Sequence, residues 1–389
     1  MLALSVLTEA CTFLPAPMKK PACPIDRVAI SAFEVPTDKP EQDGTLSWHK
    51  TTLVLVEVSA GGLTSLAYTY ADGATAKLIE DSLAPLVIGG DAFATQAAHA
   101  KMRIATRNLG GDGITAMAIS ALDLALWDLK ARVLEVPLCA LLGAARSRVP
   151  VYGSGGFTSY DRETLQRQLA GWVEQGIRKV KIKVGAHPEQ DVERVRQARE
   201  AIGEHTELFV DANGAHSAKQ ALRQAEQFAR FGVTWFEEPV SSDNLDGLRF
   251  VKDHVPMGMD VTAGEYGYRL GYFSNMLQAR AVDVMQLDAT RCGGVTGFLR
   301  AAHVCEAFQI PLSTHCAPAL HVHLGAAFDT VRHLEYFHDH LRIEAMLLGA
   351  RPPHEGELEI ASSRPGFGLE VDHARAAQYR ISHVQVRAR

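Results

Sequence analysis

From Arg27 to Tyr70 apolar and polar positions alternate with a period of two. RVAISAFEV and TTLVLVEVSA are rich in β-branched residues, and LTSLAYTY follows the Gly61-Gly62 pair, so three strands are predicted. Between the first two, Pro36 to Lys50 (PTDKPEQDGTLSWHK) is polar and turn-rich and predicts an exposed loop. From about Gly73 to Leu142 the apolar spacing becomes three and four. ITAMAISALDLALWDLKARVLEVPLCALLGA predicts a long helix and its turn. After Ser147 short apolar segments alternate with helical ones: 149–155, 179–185, 208–214, 234–240, 255–265, 282–289, 310–316 and 333–337. Eight strands, with a βα unit every 20–30 residues or so, predict a closed parallel barrel rather than an open doubly wound sheet. No G-x-G-x-x-G follows the first strand, against a dinucleotide site. The tail from Arg351 returns to turn and strand composition. The chain therefore divides into a loosely ordered leader (1–26), an α+β domain (27–146), a barrel (147–348) and a segment returning to the first domain (349–389).

Composition narrows the class. With 47% hydrophobic residues and a net charge of −6 in 389 residues, the chain is neither disordered nor a nucleic-acid binder, which would need a basic face. No apolar run is long enough to span a membrane. In the leader, Glu9 interrupts the apolar stretch and Lys19-Lys20 follow it, unlike a secretory signal, and Met18 is an alternative start. Six scattered cysteines without a C-x-x-C pair fit reduced thiols in a cytoplasmic protein.

In a barrel the chemistry collects at the C-terminal strand ends. There the second strand carries Lys181 and Lys183 and the third Asp211 and Asn213. The fourth carries Glu237-Glu238, the fifth Glu265, the sixth Asp288, the seventh His315 and the eighth Glu335. Asp211, Glu237 and Glu265 on neighbouring strands would repel unless a cation joins them. An all-oxygen set selects Mg²⁺, Mn²⁺ or Ca²⁺ over Zn²⁺, one ion per subunit. Ion pairing with nearby Lys or Arg is the structural alternative. Glu238 should point away by strand alternation. Lys181 and Lys183 share a face and should lower each other's pKa, leaving Lys183 as a base and Lys181 as a contact for an anion. Asp288 should orient His315 as an acid–base group. Glu335 shows no charge partner in the sequence, so burial should keep it protonated as a hydrogen-bond donor.

Other features are read as structural. His321-x-His323 falls in a helical stretch where positions two apart diverge, and His338 and His340 read as surface loop. Gly293-Gly294-Val295-Thr296-Gly297 suits a phosphate loop less well than a tight βα turn. Arg291 lies just past Asp288, within reach of the site. The set as a whole suits removal of a proton α to a carboxylate.

These residues resemble the enolase superfamily, specifically the mandelate racemase subgroup. The similarity rests on Lys181-x-Lys183, Asp211-x-Asn213, Trp235-Phe236-Glu237-Glu238-Pro239, Gly264-Glu265, Asp288 with the glycine turn, His315 and Glu335. Ala125-Leu126-Trp127-Asp128-Leu129-Lys130 and Pro365-Gly366-Phe367-Gly368 extend it. The resemblance implies a (β/α)₇β modified TIM barrel under an N-terminal α+β capping domain. It also implies Mg²⁺ on Asp211, Glu237 and Glu265, with Lys183 and the His315–Asp288 dyad as acid–base groups on opposite substrate faces. Glu335 would bind the substrate carboxylate, assisted by Lys181 and Asn213, in a homo-oligomer. Substrate choice is expected from the 36–50 segment, with Lys39 and Trp48, and from Ser154 and Arg291. Their polarity favours dehydration of an acid sugar to a 2-keto-3-deoxy acid. Racemisation or epimerisation of a 2-hydroxy acid by the same bases is the alternative, and a non-catalytic binding protein the remote one.

Overall fold

The computed structural model describes residues 23–388. Most of the leader predicted over 1–26, including Cys11, lies outside them. The described residues begin with three antiparallel strands, β1 (Ile25–Gln42), β2 (Ser47–Ala60) and β3 (Leu63–Tyr70). The final strand, Arg380–Arg387, pairs with the free edge of β1, so the C-terminus completes the first sheet. The helix Ile114–Val133 packs on this sheet and is buried on nearly all sides. A helix apolar all round must be covered all round. Its other face meets the barrel, where Trp127 Nε1 donates to Thr296 Oγ1 at 2.9 Å and Asp123 Oδ2 accepts from Thr296 N at 2.9 Å.

The predicted loop over 36–50 is a correction. β1 and β2 continue as a hairpin arm, pairing Pro36 with Lys50 and, after a bulge, Glu41 with Trp48. The polar sequence hides this because only parts of the arm are covered: Glu41 is fully buried and donated to by Trp48 Nε1 at 3.0 Å. At the tip, Asp43 Oδ1 accepts from Thr45 N and Leu46 N at 2.6 and 2.7 Å, a local turn. Gly44 presses on the barrel so closely that a Cβ there would lie 2.2 Å from the Ala212 carbonyl oxygen. The arm thus docks on the barrel mouth, where Gln42 O accepts from Thr158 N at 2.8 Å.

The barrel contains eight parallel strands: β4 (Arg148–Gly155), β5 (Lys179–Lys183), β6 (Glu207–Asp211), β7 (Val233–Glu237), β8 (Asp260–Ala263), β9 (Val284–Leu287), β10 (Leu312–Thr314) and β11 (Val331–Phe337). β11 pairs with β4 and closes the ring. Helices between successive strands form the outer wall, giving the expected (β/α)₇β order. Tyr152, Phe209, Trp235 and Val284 fill the interior below the rim, with Phe209 stacked on Trp235 at 5.0 Å. Alternation then lifts Ser154, Asp211 and Glu237, two residues on, toward the rim. The glycine turn at 293–297 is explained by packing. A Cβ on Gly294, whose φ is +72°, would lie 2.4 Å from Asp123 Oδ2. Among the described residues no helix is long and apolar enough to cross a membrane.

Asp128 joins three distant segments. Its Oδ2 accepts from Leu66 N at 2.9 Å and Arg132 Nε at 2.6 Å, and its Oδ1 from Phe367 N at 2.5 Å. Asp128→Ala leaves two buried amides and a guanidinium without their acceptor. Urea unfolding should show a loss of about 2–5 kcal/mol. A loss under about 0.5 kcal/mol, the range of an ordinary surface change, contradicts this assignment.

Candidate active site

The barrel rim gathers the ionisable strand ends into one buried cluster. Asp211, Glu237 and Glu265 each offer a carboxylate oxygen, all within 4.8 Å of one another. Lys181 Nζ lies 2.5 Å from Glu237 Oε1, 2.9 Å from Glu335 Oε1 and 3.6 Å from Asp211 Oδ2, and Lys183 Nζ lies 2.5 Å from Asp211 Oδ2. His315 Nδ1 is 2.8 Å from Asp288 Oδ2, whose other oxygen accepts from Thr290 N and Oγ1 at 2.7 Å. Three hydrogen bonds fix that carboxylate, which fixes the ring. Glu335 accepts from Ser154 Oγ at 2.6 Å and Cys316 N at 2.9 Å. Arg291 Nη1 donates to the Glu265 carbonyl at 3.0 Å.

Three electrostatic expectations are corrected. Burial and, for Lys183, its neighbour Lys181 do oppose the ammonium charges. Glu237 and Glu335 outweigh this at Lys181, and Asp211 outweighs it at Lys183, so both lysines are raised above the usual range. Glu335 is not kept protonated: against the burial penalty, Lys181 foremost holds it well below the usual carboxylate range. The partner stands on β5, two strands round the ring. Glu238 does not turn away into ordinary surroundings. The strand ends at Glu237, Glu238 takes φ +37°, and its buried Oε1 has no hydrogen-bond partner. Burial, then Glu265 and Asp211, push its carboxyl well up.

The donor set suits a hard divalent cation. Asp211, Glu237, Glu238, Glu265, Asp288 and Glu335 are buried together, against Lys181, Lys183 and Arg291. Were all six ionised, three cations would leave an excess of three negative charges before His315 is counted, and Glu237 and Glu238 answer that excess by holding their protons. Burial and Asp211 accordingly push Glu237 up to about 8. A bound 2+ ion would relieve that strain.

Above the cluster opens a cavity of about 340 Å³ between the hairpin arm and the rim. Lys183, Asn213, Glu265, Arg291 and His315 line its floor. Trp48 lines its wall. Lys39 does not join it: the arm carries that residue outward, where Nζ donates to Thr164 Oγ1 at 3.0 Å on the exposed face. Ser154 lies beneath the floor, supporting Glu335. Asn213, at φ +46°, donates its backbone N–H to Asp211 Oδ1 at 2.9 Å and leaves its buried side-chain oxygen unpartnered. His340, read as surface loop, is instead buried and stacked on Tyr70 at 3.4 Å, and both line the cavity with Asp339, Tyr266 and Cys316. Nothing in the local sequence marks these, because they converge from four separate segments. His321 and His323 are structural: His321 Nε2 accepts from Ala289 N at 2.9 Å, and His323 Nδ1 from Cys139 N at 3.4 Å.

Two family models match the chain: the mandelate racemase/muconate lactonizing enzyme N-terminal domain over residues 27–143, and the enolase C-terminal domain-like model over 164–375. A mandelate racemase/muconate lactonizing enzyme-like protein from Rubrobacter xylanophilus is 50% identical with a TM-score of 0.90, covering 92% of this chain and 99% of its own. The 3,6-anhydro-alpha-L-galactonate cycloisomerase of Streptomyces coelicolor is 30% identical over 92% of this chain and 99% of its own. L-Talarate dehydratase from Polaromonas sp. JS666, solved with Mg and L-glucarate, is 28% identical with a TM-score of 0.86, covering 95% and 100%.

Burial opposes a charge on His315, and Arg291 adds to that, yet Glu265 foremost, with Asp288 and Glu335, raises its pKa above the usual imidazole range. A raised folded-state value stabilises the fold fully below about pH 6.5 and loses that contribution as pH climbs through it. NMR of the ring nitrogens in metal-free protein should give a midpoint above about 6.5, lowered in Asp288→Asn. A midpoint at or below about 6.5 contradicts the electrostatic reading.

Proposed function

Because the chain belongs to the mandelate racemase/muconate lactonizing enzyme family of the enolase superfamily, we propose that its barrel pocket dehydrates an acid sugar to a 2-keto-3-deoxy acid. It is an enzyme by that membership, and the binding-protein alternative falls away. The observation that carries the reading is Lys183 and His315 lining one cavity, from strands three apart round the ring, with the carboxylate trio beside them. Asp211, Glu237 and Glu265 would hold Mg²⁺, with Mn²⁺ as its substitute. When bound, the ion supplies Lewis acidity to the substrate carboxylate.

The protein's own groups do the rest. Lys181, fixed by Glu237 and Glu335, presents its ammonium to the charge that develops on the carboxylate oxygens as the α-proton leaves. Lys183, able to act as a base only once a bound cation takes Asp211 from it and it has lost its own proton, or neutral His315 would take that proton, and the C–H electron pair enters the enediolate. His315, its Nδ1 held by Asp288, then protonates the departing β-hydroxyl, which leaves as water, and the resulting enol tautomerises to the ketone. Asn213, with its unpartnered oxygen, and Arg291 are proposed substrate contacts on the floor, and Trp48 one on the wall. The outer wall brings Asp43, Lys50, Thr51, Asp339 and His340 to the ligand, polar groups suited to several hydroxyls. The neighbouring dehydratase solved with L-glucarate supports the same substrate class.

Incubation of the Mg²⁺-loaded enzyme in D₂O with a panel of acid sugars and 2-hydroxy acids should give a semicarbazide-reactive keto acid from one acid sugar. Exchange at the α-carbon without net change indicates racemase chemistry instead. Lys183→Ala should lower turnover by about 10²–10⁴-fold on the identified substrate. Full turnover in that variant removes Lys183 from the mechanism.

A further inference from the structure

Beside the carboxylate trio the same pocket holds a second donor set of softer chemistry. Cys316 follows His315 directly, and its φ of +51° is the left-handed conformation. The thiol lies against the imidazole: Sγ is 3.2 Å from His315 Nε2 and 3.5 Å from Glu335 Oε2, and Nε2 is 3.9 Å from Oε2. A tetrahedral Zn²⁺, with bonds of about 2.3 Å to sulfur and about 2.0 Å to nitrogen or oxygen, sets its donor atoms roughly 3.3–3.6 Å apart. Small adjustments bring this trio to that spacing. The remaining polar atoms of these side chains are committed elsewhere: His315 Nδ1 to Asp288, and Glu335 Oε1 to Ser154 and Lys181. Those contacts leave Nε2 and Oε2 facing sulfur, with Oε2 also accepting from Cys316 N at 2.9 Å and Nε2 lying 3.6 Å from Glu265 Oε2. All three residues are buried, and His315 and Cys316 line the cavity, from which a fourth ligand would have to come.

We propose that His315, Cys316 and Glu335 bind a thiophilic divalent cation, Zn²⁺ foremost, and that its binding stops the reaction by occupying His315 Nε2. One thiolate, one carboxylate and a neutral imidazole balance a 2+ charge, the thiol proton passing to solvent as the metal–sulfur bond forms. Mg²⁺ avoids sulfur, so the two neighbouring sites sort ions by softness. Inhibition rests on the acid–base role proposed for His315, whereas binding does not.

The test uses the full chain saturated with Mg²⁺, with Co²⁺ as the spectroscopic probe and Zn²⁺ as the inhibitor. Expected are one further Co²⁺ per chain with thiolate-to-cobalt charge-transfer absorption, its displacement by Zn²⁺, and inhibition by Zn²⁺ that added Mg²⁺ does not relieve. Cys316→Ala should lose the absorption. Its zinc inhibition constant, taken relative to its own zinc-free rate, should rise at least about tenfold, the cost of losing even an outer contact to a metal. Cys316→Ser serves as the second variant, with circular dichroism confirming that each folds. Co²⁺ bound without the absorption, or zinc inhibition relieved by Mg²⁺ equally in wild type and variants, assigns the ion to the carboxylate trio and overturns the proposal. The absorption without zinc inhibition overturns the inhibitory half and, with it, the acid–base role of His315.

Discussion

Asp211, Glu237, Glu238, Glu265, Asp288 and Glu335 are buried at one end of a closed barrel, and Lys181, Lys183 and Arg291 are the permanent cations set among them. Low-dielectric surroundings make each uncompensated charge costly, so every lysine there is locked to carboxylates and Glu237 is driven toward neutrality. The ring tolerates this arrangement because its floor is already closed by Tyr152, Phe209 and Trp235, which keep the charged layer at the rim. A divalent ion is the simplest remaining source of positive charge. Held by Asp211, Glu237 and Glu265, such an ion would take over part of the neutralisation that Lys181 and Lys183 now supply.

The capping domain serves this site through two mechanical links. The helix Ile114–Val133 is anchored to the barrel helix that follows Asp288 through Asp123 and Trp127, so the dyad's loop is braced from outside. The hairpin arm of β1 and β2 reaches over the mouth, with Gly44 against the Ala212 carbonyl beside the Asp211 strand end. One link braces the floor of the cavity and the other supplies its wall. The floor carries the ionisable strand ends, while Trp48, Lys50, Thr51 and His340 form the wall to which the proposed selectivity is assigned.

Strand ends were legible in the sequence because a charged residue closing an apolar strand is costly to bury unless a partner or ligand meets it there. Lys183, Asp211, Glu237, Asp288, His315 and Glu335 all come to the rim. Partner identity was less legible. Lys181 neutralises Glu335 across two strands of the closed ring, a contact that no spacing reveals, and it reverses the protonation expected for Glu335. Glu238 escaped the alternation rule because the strand had already ended and a left-handed φ re-aims it. Lys39 and His340 exchanged places for one reason: exposure of a polar segment depends on what docks against it. The arm turns Lys39 outward, while Tyr70 covers His340.

The central claim, that three buried carboxylates are built to share one hard cation, is open to direct calorimetry. Titration of metal-free protein with Mg²⁺ should give a single site per chain, and Glu237→Gln should weaken it by at least about tenfold. Absence of Mg²⁺ binding at millimolar concentration, or an affinity unchanged in Glu237→Gln, would contradict the account.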